Sequence, residues 1–311
     1  MQKWIHRRNR RLNIPIQRVM AQMNGLRVNV ISWNHGGANL ECEGLLIKAC
    51  NPDVDIIVFS SSECGGICPD FFKGSQIHTR WLAFLAARVG RAFVHICSAR
   101  LQGIVLSVWV SKRVKFDHLL VHRSYSMEVT WDRIGRKGAV FIQIGIGSTK
   151  VTFVAAHLVA HTHAFRERTY QLHQIMREAQ SLNGNQGVIF VIGDLNFRID
   201  AKSRELIRWL ELGDEDKILI GDQLSTLLDT RSDWLTGWLE ASRPSFLPTF
   251  KVNPKTAEYV WSRRVPAFTD RILIWSCTKQ HVHTIEYNKA DHSFGSDHFP
   301  LLGRFIIMTC V

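Results

Sequence analysis

Six short apolar runs in this chain end, or begin, in a carboxylate, amide or imidazole side chain. Val28–Trp33 runs into Asn34-His35-Gly36-Gly37, and Asp55–Ser60 runs into Ser61-Ser62-Glu63. Lys150–Ala156 runs into His157, and Gly187–Ile192 into Gly193-Asp194-Leu195-Asn196. Asp270 stands just before Arg271–Trp275, and Ser296-Asp297-His298 just before Leu301–Met308. Each run has the length and β-branched content of a buried strand. Strands hold their end residues rigidly, so six polar ends can converge on one cleft. Any one of them alone reads better as a turn residue or a helix cap.

The rest of the pattern fixes the fold class. Phe93–Ala99 with Gly103–Val110, and Ala139–Ile146 with Lys150–Ala156 across Gly147-Ser148, read as hairpins. Leu40–Ala49, Ala164–Ala179 and Lys202–Leu212 carry apolar residues at helical spacing. Strands outnumber helices, so an alternating βαβ fold is excluded in favour of an α+β fold with antiparallel-rich sheets under a few helices. With 46% hydrophobic and 21% charged residues the chain can fill a core. No repeat or linker interrupts residues 27–311, which read as one large domain.

Residues 1–26 are a basic N-terminal arm: Lys3, Arg7, Arg8, Arg10, Arg11 and Arg18, followed by Arg27, with no acidic residue among them. Three readings stay open for it: a solvated basic tail, a tether to anionic membrane, or an organelle transit segment. The whole chain carries a formal charge of +12, which favours an anionic partner. No apolar run approaches the roughly 20 residues that a membrane span needs. The seven cysteines are scattered, without a C-x-x-C pair, and point to a reducing, cytoplasmic setting, with peripheral contact to the cytosolic membrane face as an option.

The polar ends suit phosphoester hydrolysis. Its transition state spreads negative charge over phosphoryl oxygens. A hard cation there prefers oxygen ligands such as Glu63, Asn34 and Asp297. Asp194 is the candidate base for water, and His298 can serve as an imidazolium if a carboxylate such as Asp270 raises its pKa. His157, His161 and His163 suggest zinc, but H-L-V-A-H lacks the glutamate of the H-E-x-x-H logic. No cysteine has an arginine six positions on, which excludes the cysteine-dependent phosphate loop, and no P-loop pattern is present.

The motifs W-N-x-G-G at 33–37, K-G-A-V at 137–140, A-H-L at 156–158, G-D-L-N-F-R at 193–198, P-T-F-K at 248–251, P-A-F-T-D-R-I-L at 266–273 and S-D-H-F-P at 296–300, with the strand ending in Glu63, form an ordered set. This set resembles the inositol polyphosphate 5-phosphatases of the endonuclease/exonuclease/phosphatase superfamily. The resemblance implies a deoxyribonuclease I-like, four-layer α-β-β-α sandwich of two mixed, largely antiparallel sheets, and one Mg²⁺. It implies Glu63 as main metal ligand with Asn34 and Asp297 near it. It implies that Asp194 activates water, Asn196 positions it, His298 paired with Asp270 binds the phosphoryl group, and His157 adds a contact. Lys137, Lys251, Arg264, Arg271 and Arg166 are the expected grips on the other phosphates of a phosphoinositide lipid or soluble inositol polyphosphate. The resemblance makes nucleic acid an improbable partner, although a nuclease of the same superfamily is the competing reading. His35, Ser62 and Phe268-Thr269 depart from the usual family pattern, and none of the three removes a catalytic residue type.

Overall fold

A computed structural model describes residues 25–36, 50, 53–64, 71–125, 137–147, 149–184, 187–261, 264–277 and 282–308. The expected helix Leu40–Ala49 and nearly all of the basic arm lie outside these residues.

The chain builds twelve described strands. They are β1 (Leu26–Asn34), β2 (Ile56–Ser62), β3 (Phe93–Leu101), β4 (Ile104–Ser111), β5 (His118–Tyr125), β6 (Gly138–Ile146), β7 (Thr149–His157), β8 (Val188–Asp194), β9 (Trp238–Glu240), β10 (Asp270–Ser276), β11 (Val282–Lys289) and β12 (Leu301–Ile307). One six-stranded sheet has the order β11-β12-β1-β2-β4-β3, and the other β5-β6-β7-β8-β10-β9. Each contains a single parallel pair, β1/β2 and β7/β8. The mixed, largely antiparallel character expected from the hairpins is therefore present.

Strand alternation explains the layering. Val28, Val30, Ile56 and Val58 of the first sheet face Val151, Phe153, Phe190 and Ile192 of the second in one central core. Phe190 ties the two sheets, with its ring centroid 5.5 Å from Phe153 and 5.1 Å from Phe305. The opposite faces are covered by helices. On the first sheet, Ile31, Ile57 and Phe59 pack against Trp81, Leu85 and Val89 of α1 (Phe71–Val89). On the second, Val154, Ile189 and Val191 pack against Leu172, Ile175 and Met176 of α2 (Phe165–Asn183). The result is the α-β-β-α sandwich.

Between β8 and β10 lie α3 (Ser203–Leu212), α4 (Glu215–Ile220) and α5 (Gln223–Asp229). Asp214 and Asp222 cap α4 and α5 by accepting from the backbone N–H of Lys217 and Ser225. Helix α1, strand β5 and strand β11 are absent from the sequence-based expectation. β5 and β11 are sheet edges or next to the rim, where half-exposed positions break the alternation.

Candidate active site

Strand register brings the polar ends together at one pole of the sandwich. In the parallel pair β1/β2, Asn34 stands opposite Ser62, which places Glu63 one residue beyond it. In β7/β8, His157 stands opposite Asp194, and in β8/β10 Asp194 stands opposite Asp270. Gly138 of β6 pairs with His157, which brings in Lys137. Gly193 permits this convergence: it has φ +144°, and a Cβ there would lie 2.0 Å from the Ala156 carbonyl oxygen. Gly36, at φ +52°, likewise lets the chain after β1 approach Asp297, whose Oδ1 a Cβ would meet at 2.5 Å.

These ends line a cleft of about 310 Å³ that contains Glu63, Lys137, His157, Asp194, Asn196, Arg198, Phe250, Lys251, Arg264, Asp297 and His298. Asp194 is buried at its centre. Its Oδ2 accepts from Asn34 Nδ2 at 2.8 Å and lies 3.3 Å from His157 Nε2. Burial by itself raises this carboxyl's pKa. The hydrogen bond from His157 and the charges of His157, His298 and Lys137 outweigh that, and hold it well below the usual carboxylate range. Lys137 Nζ lies 2.5 Å from His157 Nε2.

His298 also lines the cleft. Its Nδ1 lies 2.9 Å from Asp270 Oδ2, and the same oxygen accepts from Thr249 Oγ1 at 2.7 Å and Thr269 Oγ1 at 3.0 Å. Burial works against charge on the imidazole, but the Asp270 charge and hydrogen bond win and push its pKa up to about 9. His298 is therefore an imidazolium at neutral pH, with Nε2 turned to the cleft and 4.0 Å from Asp297 Oδ1.

Four expected roles change in the structure. Arg271 is wholly buried, gripped in two-pronged fashion by Glu240 (2.6 and 2.5 Å) and bonded to Asp222 (2.8 Å), so it cannot reach a substrate. Arg166 is exposed on the first turn of α2 and is not among the cleft-lining residues. Asn196, expected to position water, instead donates from Nδ2 to the Leu158 carbonyl at 3.0 Å and accepts from Arg198 through Oδ1. Its backbone N–H holds Asp194 Oδ1 at 3.0 Å. Asn196 has φ +56°, so the chain after Asp194 is not extended. Asp297 is paired with Lys251 at 2.8 Å, so the expected metal ligand and the expected phosphate grip neutralise each other.

Arg198 is a cleft residue that the sequence reading quoted only inside a motif. It is buried, its guanidinium lies 4.9 Å from the Phe250 ring centre, and burial lowers its pKa to about 10. Thr249 and Thr269 were also missed, because a threonine that serves a carboxylate carries no signal of its own in the sequence.

Glu63 is different from the other carboxylates. It is a third exposed, and the ion-pair contact recorded for it among the described residues is His157 Nε2, 3.9 Å away. Among the described residues no three His, Cys, Asp or Glu side chains cluster as a metal cage. A single accessible carboxylate fits a hard, largely hydrated cation such as Mg²⁺, which binds through one or two carboxylates plus substrate phosphate. Asn34 Oδ1 accepts from Gly36 N–H at 3.0 Å, which leaves it one lone pair.

The sequence matches the model of Endonuclease/Exonuclease/phosphatase family 2 over residues 31–304, which includes every strand just described except the first residues of β1 and the last of β12. The chain belongs to this family. Among its curated relatives is human phosphatidylinositol 4,5-bisphosphate 5-phosphatase A, 27% identical over 320 residues, covering 91% of this chain and 31% of the relative. The chain thus spans about a third of that relative's length. Inositol 5-phosphatases are the branch of the family that the motif set resembles.

Among solved structures of the family fold, the inositol polyphosphate 5-phosphatase domain of SPSYNAPTOJANIN, in complex with inositol (1,4)-bisphosphate and calcium ion, superposes with a TM-score of 0.74. It is 22% identical and is covered to 90%, with 94% of this chain. The Cimex nitrophorin ferrous NO complex superposes with a TM-score of 0.69 at 19% identity, over 91% of this chain and 99% of that one. The same sandwich therefore carries unrelated chemistries, and function has to be argued from the cleft.

Proposed function

We propose that this chain hydrolyses the 5-phosphate of inositol phosphates, as phosphoinositide lipids or soluble inositol polyphosphates, with Mg²⁺ and by in-line attack of water. The observation that carries the reading is a single cleft that holds an ionised Asp194, fixed by Asn34 and His157, and the His298 imidazolium, together with Lys137, Arg198, Lys251 and Arg264.

In this reading Asp194 accepts a hydrogen bond from the attacking water and takes its proton as the oxygen bonds to phosphorus. Its low pKa keeps it ionised across the neutral range. His298 Nε2–H donates to a phosphoryl oxygen, where charge builds in the transition state. Glu63 would hold the Mg²⁺, with the free lone pair of Asn34 Oδ1 beside it; the ion supplies positive charge to the phosphoryl oxygens and the leaving oxygen. The Lys and Arg side chains suit a ring that carries several dianionic groups, and such a ring competes with Asp297 for Lys251.

The experiment is phosphate release from inositol 1,4,5-trisphosphate and phosphatidylinositol 4,5-bisphosphate with Mg²⁺, with the product phosphates located on the ring. Loss of the 5-phosphate, abolished by chelation, is expected. Loss of the 4-phosphate alone, or Mg²⁺-dependent nicking of duplex DNA in place of either reaction, would overturn the reading.

A further inference from the structure

Along one edge of the sandwich β3 and β5 are, among the described residues, the outer strands of their sheets and approach each other. Leu119 and Val121 stand opposite Ile144 and Ile142, whose side chains lie in the layer between the sheets. Val94 stands opposite Val110, which belongs to the same layer. These three side chains therefore extend the inter-sheet layer beyond the point where it is covered. Val94 is 44% exposed, Leu119 42% and Val121 39%, and Phe116 on the loop entering β5 is 40% exposed. They make up four of the nine large apolar side chains exposed among the described residues, so this is a patch and not scatter.

Cations flank the seam at the pole away from the cleft. Arg91, Lys112, Arg113 and Lys115 are exposed there, and Lys112 N–H donates to the Ala92 carbonyl at 2.9 Å, which joins the two loops. The acidic groups nearby are Asp53, Asp117 and Asp55; Asp55 is paired with Arg113 at 3.2 Å. β1 begins at this same pole, because Arg27 N–H donates to Asp55 Oδ2 at 2.9 Å. The sequence before Gly25 adds six Lys and Arg and no acid.

We infer that this seam docks on an anionic lipid surface, by its apolar side chains in the acyl boundary and its cations at the headgroups. Exposed apolar groups and cations side by side match an anionic bilayer. A nucleic acid would leave the apolar seam uncovered. A second copy docked by two-fold symmetry would set the same cations against one another.

The test uses the full chain with vesicles of phosphatidylcholine, alone or doped with phosphatidylserine, neither carrying a phosphoinositide. Sedimentation with the doped vesicles alone, reduced by salt, is expected. Lys112→Glu/Lys115→Glu should lower that binding about tenfold or more. Leu119→Asp should lower it as well, and both variants should keep the parent's rate on soluble inositol 1,4,5-trisphosphate. Binding equal to the parent's in both variants would overturn the dock and assign the attraction to the arm alone. So would a dimer that Leu119→Asp dissociates. Sedimentation is read without turnover, so an inactive protein whose vesicle binding falls in both variants would sink the function and support the dock.

Discussion

His298 Nδ1 stands 2.9 Å from Asp270 Oδ2, on an oxygen that two threonine hydroxyls also serve. The carboxylate is thereby fixed in place, and the imidazole it charges keeps its second nitrogen for the cleft. A group whose folded pKa is raised is protonated below that value and loses its proton above it. With His298 at about 9, activity that needs the imidazolium should hold through neutrality and fall as pH rises through 9. Asp270→Asn removes the charge that outweighs burial, so the alkaline limb of kcat/KM should move down toward the ordinary histidine range. A limb that stays in place in that variant would show that His298 is not the titrating acid.

Asp194 and Asn196 should separate in magnitude. Asp194→Ala removes the group that meets the water and should lower kcat by at least about a thousandfold. Asn196→Ala keeps the backbone N–H that holds Asp194 and loses the amide that holds Arg198, so about a tenfold to hundredfold loss is expected. Single-turnover rates on one soluble substrate decide it; equal losses would return Asn196 to the water.

Arg271 and Arg166 should behave as structural and neutral residues. Arg271→Met strands Glu240 and Asp222 as buried charges and should destabilise the fold by about 3–5 kcal/mol. Arg166→Ala should stay within about 0.5 kcal/mol and leave KM unchanged. Urea unfolding and KM on inositol 1,4,5-trisphosphate check both.

His35 should make the fold acid-sensitive. It is buried between Trp33 (4.3 Å between ring centres) and Trp81 (4.8 Å), and burial lowers its pKa to about 3. The unfolded chain then binds the proton more readily, so stability is full above about pH 6.5 and falls as pH drops toward 3. Between pH 7 and pH 5 this one group should remove about 2 kcal/mol. His35→Phe should lose less stability than the parent over the same interval in urea unfolding; an identical loss would refute the assignment.

Much of the site could be read from strand ends. Asn34, Glu63, His157, Asp194, Asp270 and His298 all sit where an apolar run stops or starts, and a period-two pattern marks such ends. The same periodicity held the answer for Arg271: it follows Asp270 directly in β10, so the two point to opposite faces, and Asp270 takes the one on which His298 packs. Asn196 could not be read this way, because its left-handed backbone breaks the alternation. Trp81, Leu85 and Val89 of α1 lie four apart on one stripe, a helical signal that the preceding Cys- and Gly-rich loop obscured.

By itself the sequence determined the residue types at the strand ends, the α+β class with antiparallel-rich sheets and the excess of positive charge, since these follow from local periodicity and from valence. Only the tertiary structure decided which charges are available. Arg271 meets Asp222 across 49 positions and Lys251 meets Asp297 across 46, while Glu63 is left open to solvent. It also decided that an apolar seam runs along one edge of the sandwich while the cleft opens at one pole. Neutralisation and exposure depend on partners distant in the chain, and no local pattern encodes where those partners fold.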